Sequence, residues 1–169
     1  MLVKEEGPIT TALARRTNRG VTVDKKASFM VEEFRKFNMN IIGISEIKWF
    51  GQEKYEVDGY VILHSGRPVP VGDEAVERNE GVGIVLHSGM AKVWKDSGEV
   101  WKPVSSRIVY ARIELPATSA GRIVALSIVS VYAPTHGASQ DIKEKFYDEL
   151  QGVVDSISGG RYLVSSRGL

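Results

Sequence analysis

The sequence predicts a mixed α/β (α+β) fold, and three patterns support this prediction. Apolar residues recur at helical spacing near the start of the chain, several runs rich in β-branched residues follow, and a second amphipathic helix lies near the end. Helices that flank strand runs in this way are typical of layered folds. The 169 residues suit one domain, with residues 1–23 as a poorly defined N-terminal segment and residues 24–169 as the domain.

Each of the two predicted helices has one apolar face that we expect to contact the core. The first is capped by Asp24 and runs to about Asn38, and the second is capped by Ser139 and ends at residues 159–160. The apolar face of the first helix consists of Ala27, Met30, Val31, Phe34 and Phe37. The apolar face of the second consists of Ile142, Phe146, Leu150, Val153, Val154 and Ile157.

Three single strands and a hairpin are predicted between these helices. Residues 41–45 are apolar and should form a strand buried on both faces, and residues 60–64 and 81–87 should form two more. Residues 107–115 and 122–132 predict a hairpin with a wide turn, whose second strand is central.

The polar segments between the predicted strands are expected to be irregular. Residues 46–58 should form a loop, and residues 65–80 should form an exposed, mobile excursion because they are rich in glycine, proline and charge. At the end of the chain, Tyr162 begins another short apolar run.

Composition excludes several kinds of site. The sequence has no cysteine, which removes disulfides, thiolate metal sites and cysteine nucleophiles and fits an intracellular protein. The three histidines, His64, His87 and His136, share no metal-ligand spacing and are expected to be structural or exposed. No apolar run approaches the length of a membrane span, and a net charge of +1 does not indicate a strongly basic nucleic-acid surface.

Two side chains are candidates for chemistry because each follows a predicted strand. Glu46 follows the apolar run 41–45, where a carboxylate can hold Mg²⁺ together with water and phosphate oxygens. Tyr132 ends the central strand, where its hydroxyl can bond a phosphate oxygen. Taken singly, a glutamate after a strand is more often an ordinary loop acid, and such a tyrosine is more often a packing residue.

Three further residues are candidates for contact with nucleic acid. Lys48 and Arg107 could bind the phosphate backbone, and Trp49 could offer a stacking face. Taken one at a time, each of them is more often an ordinary surface or core residue.

The ordered set of these segments resembles the endonuclease/exonuclease/phosphatase family. Residues 40–49, ending in Ser-Glu-Ile-Lys-Trp, resemble the family's strand that leads to its metal-binding glutamate. Residues 81–87, residues 106–109 and the Val-Tyr-Ala-Pro-Thr block at 131–135 then follow in the family's order. The resemblance covers about residues 24–164 and is strongest to the endonuclease domains of non-LTR retrotransposons and to craniofacial development protein 2-like sequences.

This resemblance implies a four-layer αββα sandwich that cleaves phosphodiesters with Mg²⁺ or Mn²⁺. Glu46 would be the metal-binding glutamate, Tyr132 the tyrosine beside the scissile phosphate, and Arg107 and Lys48 supporting contacts. Asn18 stands near the position of a family asparagine that belongs to the metal site, although its flanks match poorly. The implied partner is nucleic acid, with DNA favoured over RNA.

The chain also departs from the family pattern. The family's next strand ends in Gly-Asp-Phe-Asn, whereas residues 165–169 read Ser-Ser-Arg-Gly-Leu, and the later Asp-His pair has no counterpart. We therefore expect a partial sandwich whose C-terminal half is missing, with weak metal binding at most and little or no activity. We also expect marginal stability, or a partner or self-association that covers the gap. A non-catalytic binding module on the same scaffold and an unrelated α/β binding domain remain alternatives.

Overall fold

The computed structural model describes residues 23–70, 80–115, 123–157 and 161–166. Within these residues the chain forms three helices and eight strands, which confirms the predicted mixed α/β class. The helices are α1 (Val23–Arg35), α2 (Ser88–Asp96) and α3 (Gln140–Ser156). The strands are β1 (Ile41–Ser45), β2 (Gln52–Val57), β3 (Tyr60–Ser65), β4 (Val82–Leu86), β5 (Trp101–Ser105), β6 (Ile108–Leu115), β7 (Val124–Val131) and β8 (Arg161–Ser166). None of these helices is long and apolar enough to cross a bilayer.

The strands form two sheets of four. The first has the order β1-β4-β3-β2, and all its neighbours are antiparallel. The second has the order β5-β6-β7-β8, with β7 and β8 parallel and the other pairs antiparallel. The predicted hairpin is confirmed, because β6 pairs with β7 from Ile108 opposite Val131 to Leu115 opposite Val124. Its second strand, β7, lies inside the sheet as predicted, and its turn lies outside the described residues.

The largest core lies between the two sheets. Strands β3 and β4 of the first sheet and strands β6 and β7 of the second contribute apolar side chains, and α2 adds Ala91 and Trp94. Trp94 is fully buried, and its indole nitrogen donates to Val100 O at 3.1 Å, so its polar atom is satisfied.

A helix also covers the outer face of each sheet. Ala27 and Val31 of α1 pack in one cluster with Tyr60, Ile62 and Val85 of the first sheet. On the second sheet, the α3 cluster consists of Phe146 and Val153 with Ile108, Val129, Val131 and, just beyond the helix, Ile157. Each helix therefore buries one face as its periodicity predicts.

The helix faces are narrower than predicted. Helix α1 ends at Arg35, so Phe37 falls beyond the helix and is 54% exposed. In α3, Ile142 lies in the first turn and is 47% exposed, and Val154 is 40% exposed. Val153 and Val154 lie about 100° apart around the helix. The buried residue of the two is Val153.

The strand predictions need three corrections. Strand β1 is half-buried and lies at the edge of its sheet, so the prediction of a strand covered on both faces is wrong. Strand β2 lies inside the predicted loop 46–58, because Gln52–Val57 pairs with β3 through the two-residue turn Asp58-Gly59. Helix α2 and strand β5 occupy a stretch for which no element was expected.

The predicted excursion at residues 65–80 is buried where the structure describes both its ends. Ser65 belongs to β3 and is fully buried, Gly66 is buried, and Glu80 is 9% exposed. The prediction of an exposed segment is therefore wrong at these positions, although it holds at Pro68 and Val69, which are exposed. Residues 71–79 lie outside the described part of the chain.

Candidate active site

Glu46 and Tyr132 meet at one rim of the molecule. Tyr132 Oη donates a hydrogen bond of 2.8 Å to Glu46 Oε1. Just behind this contact, Ser130 Oγ of β7 donates to Ile44 O of β1 at 3.3 Å, so the ends of the two strands lie side by side. The rim thus joins the two sheets at the point where β1 and β7 end, as the sequence predicts for the two side chains.

The backbone that presents Glu46 has an uncommon conformation. Glu46 and Lys48 have φ values of 55° and 57°, in the left-handed region that residues with a Cβ rarely adopt. Each such residue costs on the order of 1–3 kcal/mol unless the surrounding structure holds it. Here Ile47 N donates to Gly81 O and Lys48 N donates to Glu80 O, both at 3.1 Å.

Arg107 contacts both the main chain and the ring of Tyr132. Its Nη1 donates to Tyr132 O at 3.2 Å, and its own carbonyl accepts from Tyr132 N at 2.9 Å. Its guanidinium carbon lies 5.2 Å from the centroid of the tyrosine ring, within the range of a cation–π contact. Arg107 therefore lies against Tyr132, the residue that bonds Glu46.

Glu80 is the residue of this site that the sequence did not reveal. Its Oε1 accepts from Arg67 Nη2 at 2.7 Å and from Arg107 Nη2 at 2.8 Å, and its Oε2 accepts from Ser106 Oγ at 2.5 Å. Burial raises the pKa of the Glu80 carboxyl, but the bonds from Arg67 and Ser106 and the charge of Arg107 outweigh it, so the pKa lies below its usual value. An acidic residue beside glycine gives no sequence signal for such a partner set.

The hydroxyl of Tyr132 remains a donor at neutral pH. The hydrogen bond to Glu46 and partial burial raise the pKa of Tyr132, and the positive charge of Arg107 opposes this only in part. A protonated phenol can donate to one oxygen at a time. The bond to Glu46 therefore has to open before the hydroxyl can reach a phosphate oxygen.

Trp49 is placed in the core and not on the rim. It is 5% exposed, and its ring meets Tyr55 and His64 edge-on at centroid distances of 5.3 and 5.4 Å. This packing leaves no ring face at the surface, so the expected stacking contact gives way to a structural one. Lys48 is exposed beside Glu46, as a backbone-contacting residue must be. Asn18 lies outside the described residues.

The three histidines are structural or exposed, as predicted. His64 is fully buried, and its Nε2 lies 3.3 Å from Trp49 O. His87 Nδ1 accepts from Gly89 N and so caps α2. His136 is exposed, and its carbonyl accepts from Lys143 Nζ at 2.8 Å.

Glu46 suits one position in the shell of a hydrated cation. Among the described residues, no group of three or more His, Cys, Asp or Glu side chains could together hold a metal ion. Magnesium often takes one or two protein carboxylates and completes its octahedron with water and phosphate oxygens. The exposed carboxylate of Glu46 fits this role as a single ligand.

A cavity of about 470 Å³ lies away from this rim, between α3 and the β5–β6 pair. It contains none of the residues discussed above as candidates for chemistry. Its lining consists of Val100, Trp101, Lys102, Val104, Tyr110, Glu149, Gly152, Val153 and Ser156.

Two known proteins are similar to the chain over most of its length. Craniofacial development protein 2 of Bos taurus is 26% identical over 152 residues, and the protein of the same name from Tragulus javanicus is 26% identical over 156 residues. Each match covers 90% of this chain but only 22% and 23% of the respective relative. The chain thus spans less than a quarter of the relatives' length. No family model and no solved structure matches the chain.

Proposed function

We propose that the chain carries the glutamate–tyrosine part of a metal-dependent phosphodiesterase site of the endonuclease/exonuclease/phosphatase kind. Its substrate class is nucleic acid, with DNA favoured over RNA, and its cation is Mg²⁺ or Mn²⁺. The observation that carries the proposal is the 2.8 Å hydrogen bond between Tyr132 and Glu46, the two residues that the family resemblance assigns to the site. We further propose that these 169 residues alone have little or no catalytic activity.

The layer order supports the proposal. Helix α1 packs on the first sheet, the two sheets share a core, and α3 packs on the second sheet. This is the order of an αββα sandwich. The distant similarity to craniofacial development protein 2 agrees with the subgroup that the sequence resembles.

Each residue of the rim has a chemical role in this proposal. Glu46 would hold the cation, which when bound stabilises negative charge on the reacting phosphate and activates water. Tyr132 would donate a hydrogen bond to a phosphate oxygen. Arg107, 5.2 Å from the tyrosine ring centroid, and the exposed Lys48 would offset the charge of the nucleic-acid backbone.

Weak activity follows from the acid–base groups that the rim contains. Cleavage also requires a positioned base that takes a proton from water, which typically contributes 10²–10⁴-fold to the rate. The carboxylate of Glu46 accepts a hydrogen bond from Tyr132 and, in this proposal, binds the cation, so it does not serve as that base. The same rim would equally serve a binding module that contacts phosphate through Lys48 and Arg107 without cleaving it, and this is the second candidate.

Manganese binding tests the proposed site. Water-proton relaxation measured during a Mn²⁺ titration should show weak binding to the wild type and its loss in Glu46→Gln. Glu114→Gln is the matched control. Like Glu46, Glu114 is exposed and has a side-chain partner, here Arg112, but it lies at the end of β6 that is far from Arg107. Equal binding by all three proteins would overturn the metal site.

A plasmid-nicking assay with Mg²⁺ separates the two candidate functions. We expect no nicking by the wild type above that of Glu46→Gln. Nicking that depends on Glu46 would show that the chain is an active enzyme. DNA binding that persists without metal and falls on replacement of Lys48 by alanine would favour the binding module.

A further inference from the structure

Glu80 lies at the centre of a partly buried charge cluster behind the rim. Two guanidinium groups and one hydroxyl bond its carboxylate, at 2.7 Å from Arg67, 2.8 Å from Arg107 and 2.5 Å from Ser106. These three partners come from two separate parts of the chain, one after β3 and one in the turn between β5 and β6. The side chain of Glu80 is 9% exposed and that of Arg107 is 17% exposed, so solvent screens their attraction little.

The cluster is connected to both members of the Glu46–Tyr132 pair. Through its side chain, Glu80 fixes Arg107, which donates to Tyr132 O and lies against the tyrosine ring. Through its main chain, Glu80 O accepts from Lys48 N at 3.1 Å, two positions from Glu46. One residue therefore restrains the phenol and the loop that carries the carboxylate.

A cluster that only stabilised the fold would not need this geometry. A buried ion pair is a weak source of net stability, because desolvation offsets most of the attraction. Guanidinium groups have a rigid fork of donors, so two bonds from different nitrogens fix the plane of the group as well as its position. Here Arg107 donates from Nη2 to Glu80 Oε1 and from Nη1 to Tyr132 O, and the two bonds together set how the guanidinium faces the ring of Tyr132.

We propose that Glu80 is a positioning residue, which holds Arg107 against Tyr132 and thereby keeps the Tyr132 hydroxyl aligned with Glu46. The proposal rests on the proposed function for its catalytic meaning, but the alignment itself exists without a metal or a substrate. Glu80 does not touch the reacting groups and acts through Arg107 and the main chain at Lys48.

The test is the side-chain NMR signal of Arg107 in Glu80→Gln, recorded without metal. In the wild type, the ring current of Tyr132 should displace the Arg107 Nε–H signal, and Tyr132→Leu identifies that displacement. We expect Glu80→Gln to lose the displacement while the indole signal of the buried Trp94 stays in place, which shows that the core is intact. Glu114→Gln, the matched control at the far end of β6, should leave all these signals unchanged.

A second measurement tests the consequence for the site. Replacing a residue that orients a metal ligand typically weakens metal binding 10–100-fold. We expect a weakening of roughly tenfold or more in the apparent Mn²⁺ affinity of Glu80→Gln, and partial recovery in Glu80→Asp, which keeps the charge. If Glu80→Gln does not fold, Ser106→Ala is the substitute, because it removes only the bond to Glu80 Oε2. In Ser106→Ala, the ring-current displacement of the Arg107 signal should be smaller than in the wild type.

The outcomes separate this inference from the proposed function. An Arg107 signal that stays at its wild-type position in Glu80→Gln, or in Ser106→Ala if the former is unfolded, would overturn the positioning role. Loss of the displacement with no Mn²⁺ binding even in the wild type would keep the positioning role and overturn the metal site. Weakened Mn²⁺ binding together with loss of the displacement supports both.

Discussion

Tyr132 Oη donates to Glu46 Oε1 at 2.8 Å, and the two residues lie 86 positions apart in the sequence. The contact depends on the way the two sheets face each other, because Glu46 follows β1 of one sheet and Tyr132 follows β7 of the other. A second bond joins these strands two residues earlier in each, where Ser130 Oγ donates to Ile44 O. The meeting of the two side chains is therefore a property of the whole fold.

The energy of this contact should be small but measurable. In a double-mutant cycle with Glu46→Ala and Tyr132→Phe, we expect a coupling of about 0.5–1 kcal/mol, since net hydrogen-bond contributions fall in this range and this pair is partly exposed. Urea unfolding of the four proteins measures it. Tyr147→Phe combined with Glu46→Ala is the control and should be additive, because Tyr147 lies on α3 and is 60% exposed. Additivity for Tyr132 as well would mean that the bond is not maintained in solution.

His64 should make the stability of the chain depend on pH in the acid range. Burial lowers the pKa of His64 from 6.5 to about 4, although Trp49 O and the nearby Glu53 oppose the shift. As the pH falls, the unfolded chain binds a proton at His64 before the folded chain does. The contribution of His64 to stability is therefore constant above about pH 6.5 and falls as the pH drops towards 4. The loss amounts to about 3 kcal/mol at 1.36 kcal/mol per pKa unit.

Unfolding free energies measured between pH 7 and pH 4 test this. Carboxylates also titrate in this range, so the informative quantity is the difference between the wild type and His64→Phe. The unfolding free energy of the wild type minus that of His64→Phe should fall as the pH drops, because only the wild type loses the contribution of His64. His136→Gln is the matched control, since it removes a histidine that is exposed. A parallel pair of curves for wild type and His64→Phe would contradict the lowered pKa.

The sequence predicted those parts of the fold that depend on apolar periodicity. The α1 and α3 faces, the β6–β7 hairpin and the strand before Glu46 all have strong apolar patterns, and all four exist. The strand of residues 52–57 was missed because it is mostly polar and exposed, with Tyr55 as its buried residue. The turn Asp58-Gly59, with φ values of 50° and 83°, was the available signal, because such pairs favour two-residue hairpins.

The site was predicted only as far as local motifs reach. Glu46, Tyr132 and Arg107 each belong to a short recognisable block, and the structure brings the three together. Glu80 could not be found this way, because its partners Arg67, Ser106 and Arg107 come from distant positions that only the fold brings together. Trp49 belongs to a block as well, yet its ring points into the core, which no local pattern could tell.

Gly66 should not tolerate a side chain. A Cβ at this position would lie 2.0 Å from Trp49 O and 2.8 Å from His64 Nε2, so main chain would have to move. We expect Gly66→Ala to destabilise the fold by about 3 kcal/mol or more, at the upper end of overpacking costs. Gly152→Ala is the control, because a Cβ there meets nothing within 4 Å and lies in helix α3. That control should gain about 0.5–1 kcal/mol from helix propensity. Equal effects of the two alanines in thermal or urea unfolding would contradict the close contact.

Trp94 should be among the largest single contributors to stability. It is fully buried in the core between the sheets, and α2, which carries it, reaches that core through Trp94 and Ala91. Trp94→Ala should cost about 3–5 kcal/mol, as large aromatic truncations in cores do. Trp94→Phe keeps most of the packing but leaves Val100 O without the indole donor, so its cost should be smaller.

Phe29→Ala is the control, since Phe29 is 63% exposed and its loss should change stability by less than about 0.5 kcal/mol. Urea unfolding of the three variants measures the order, and a Trp94→Ala cost no larger than that of Phe29→Ala would mean that α2 is not docked between the sheets in solution.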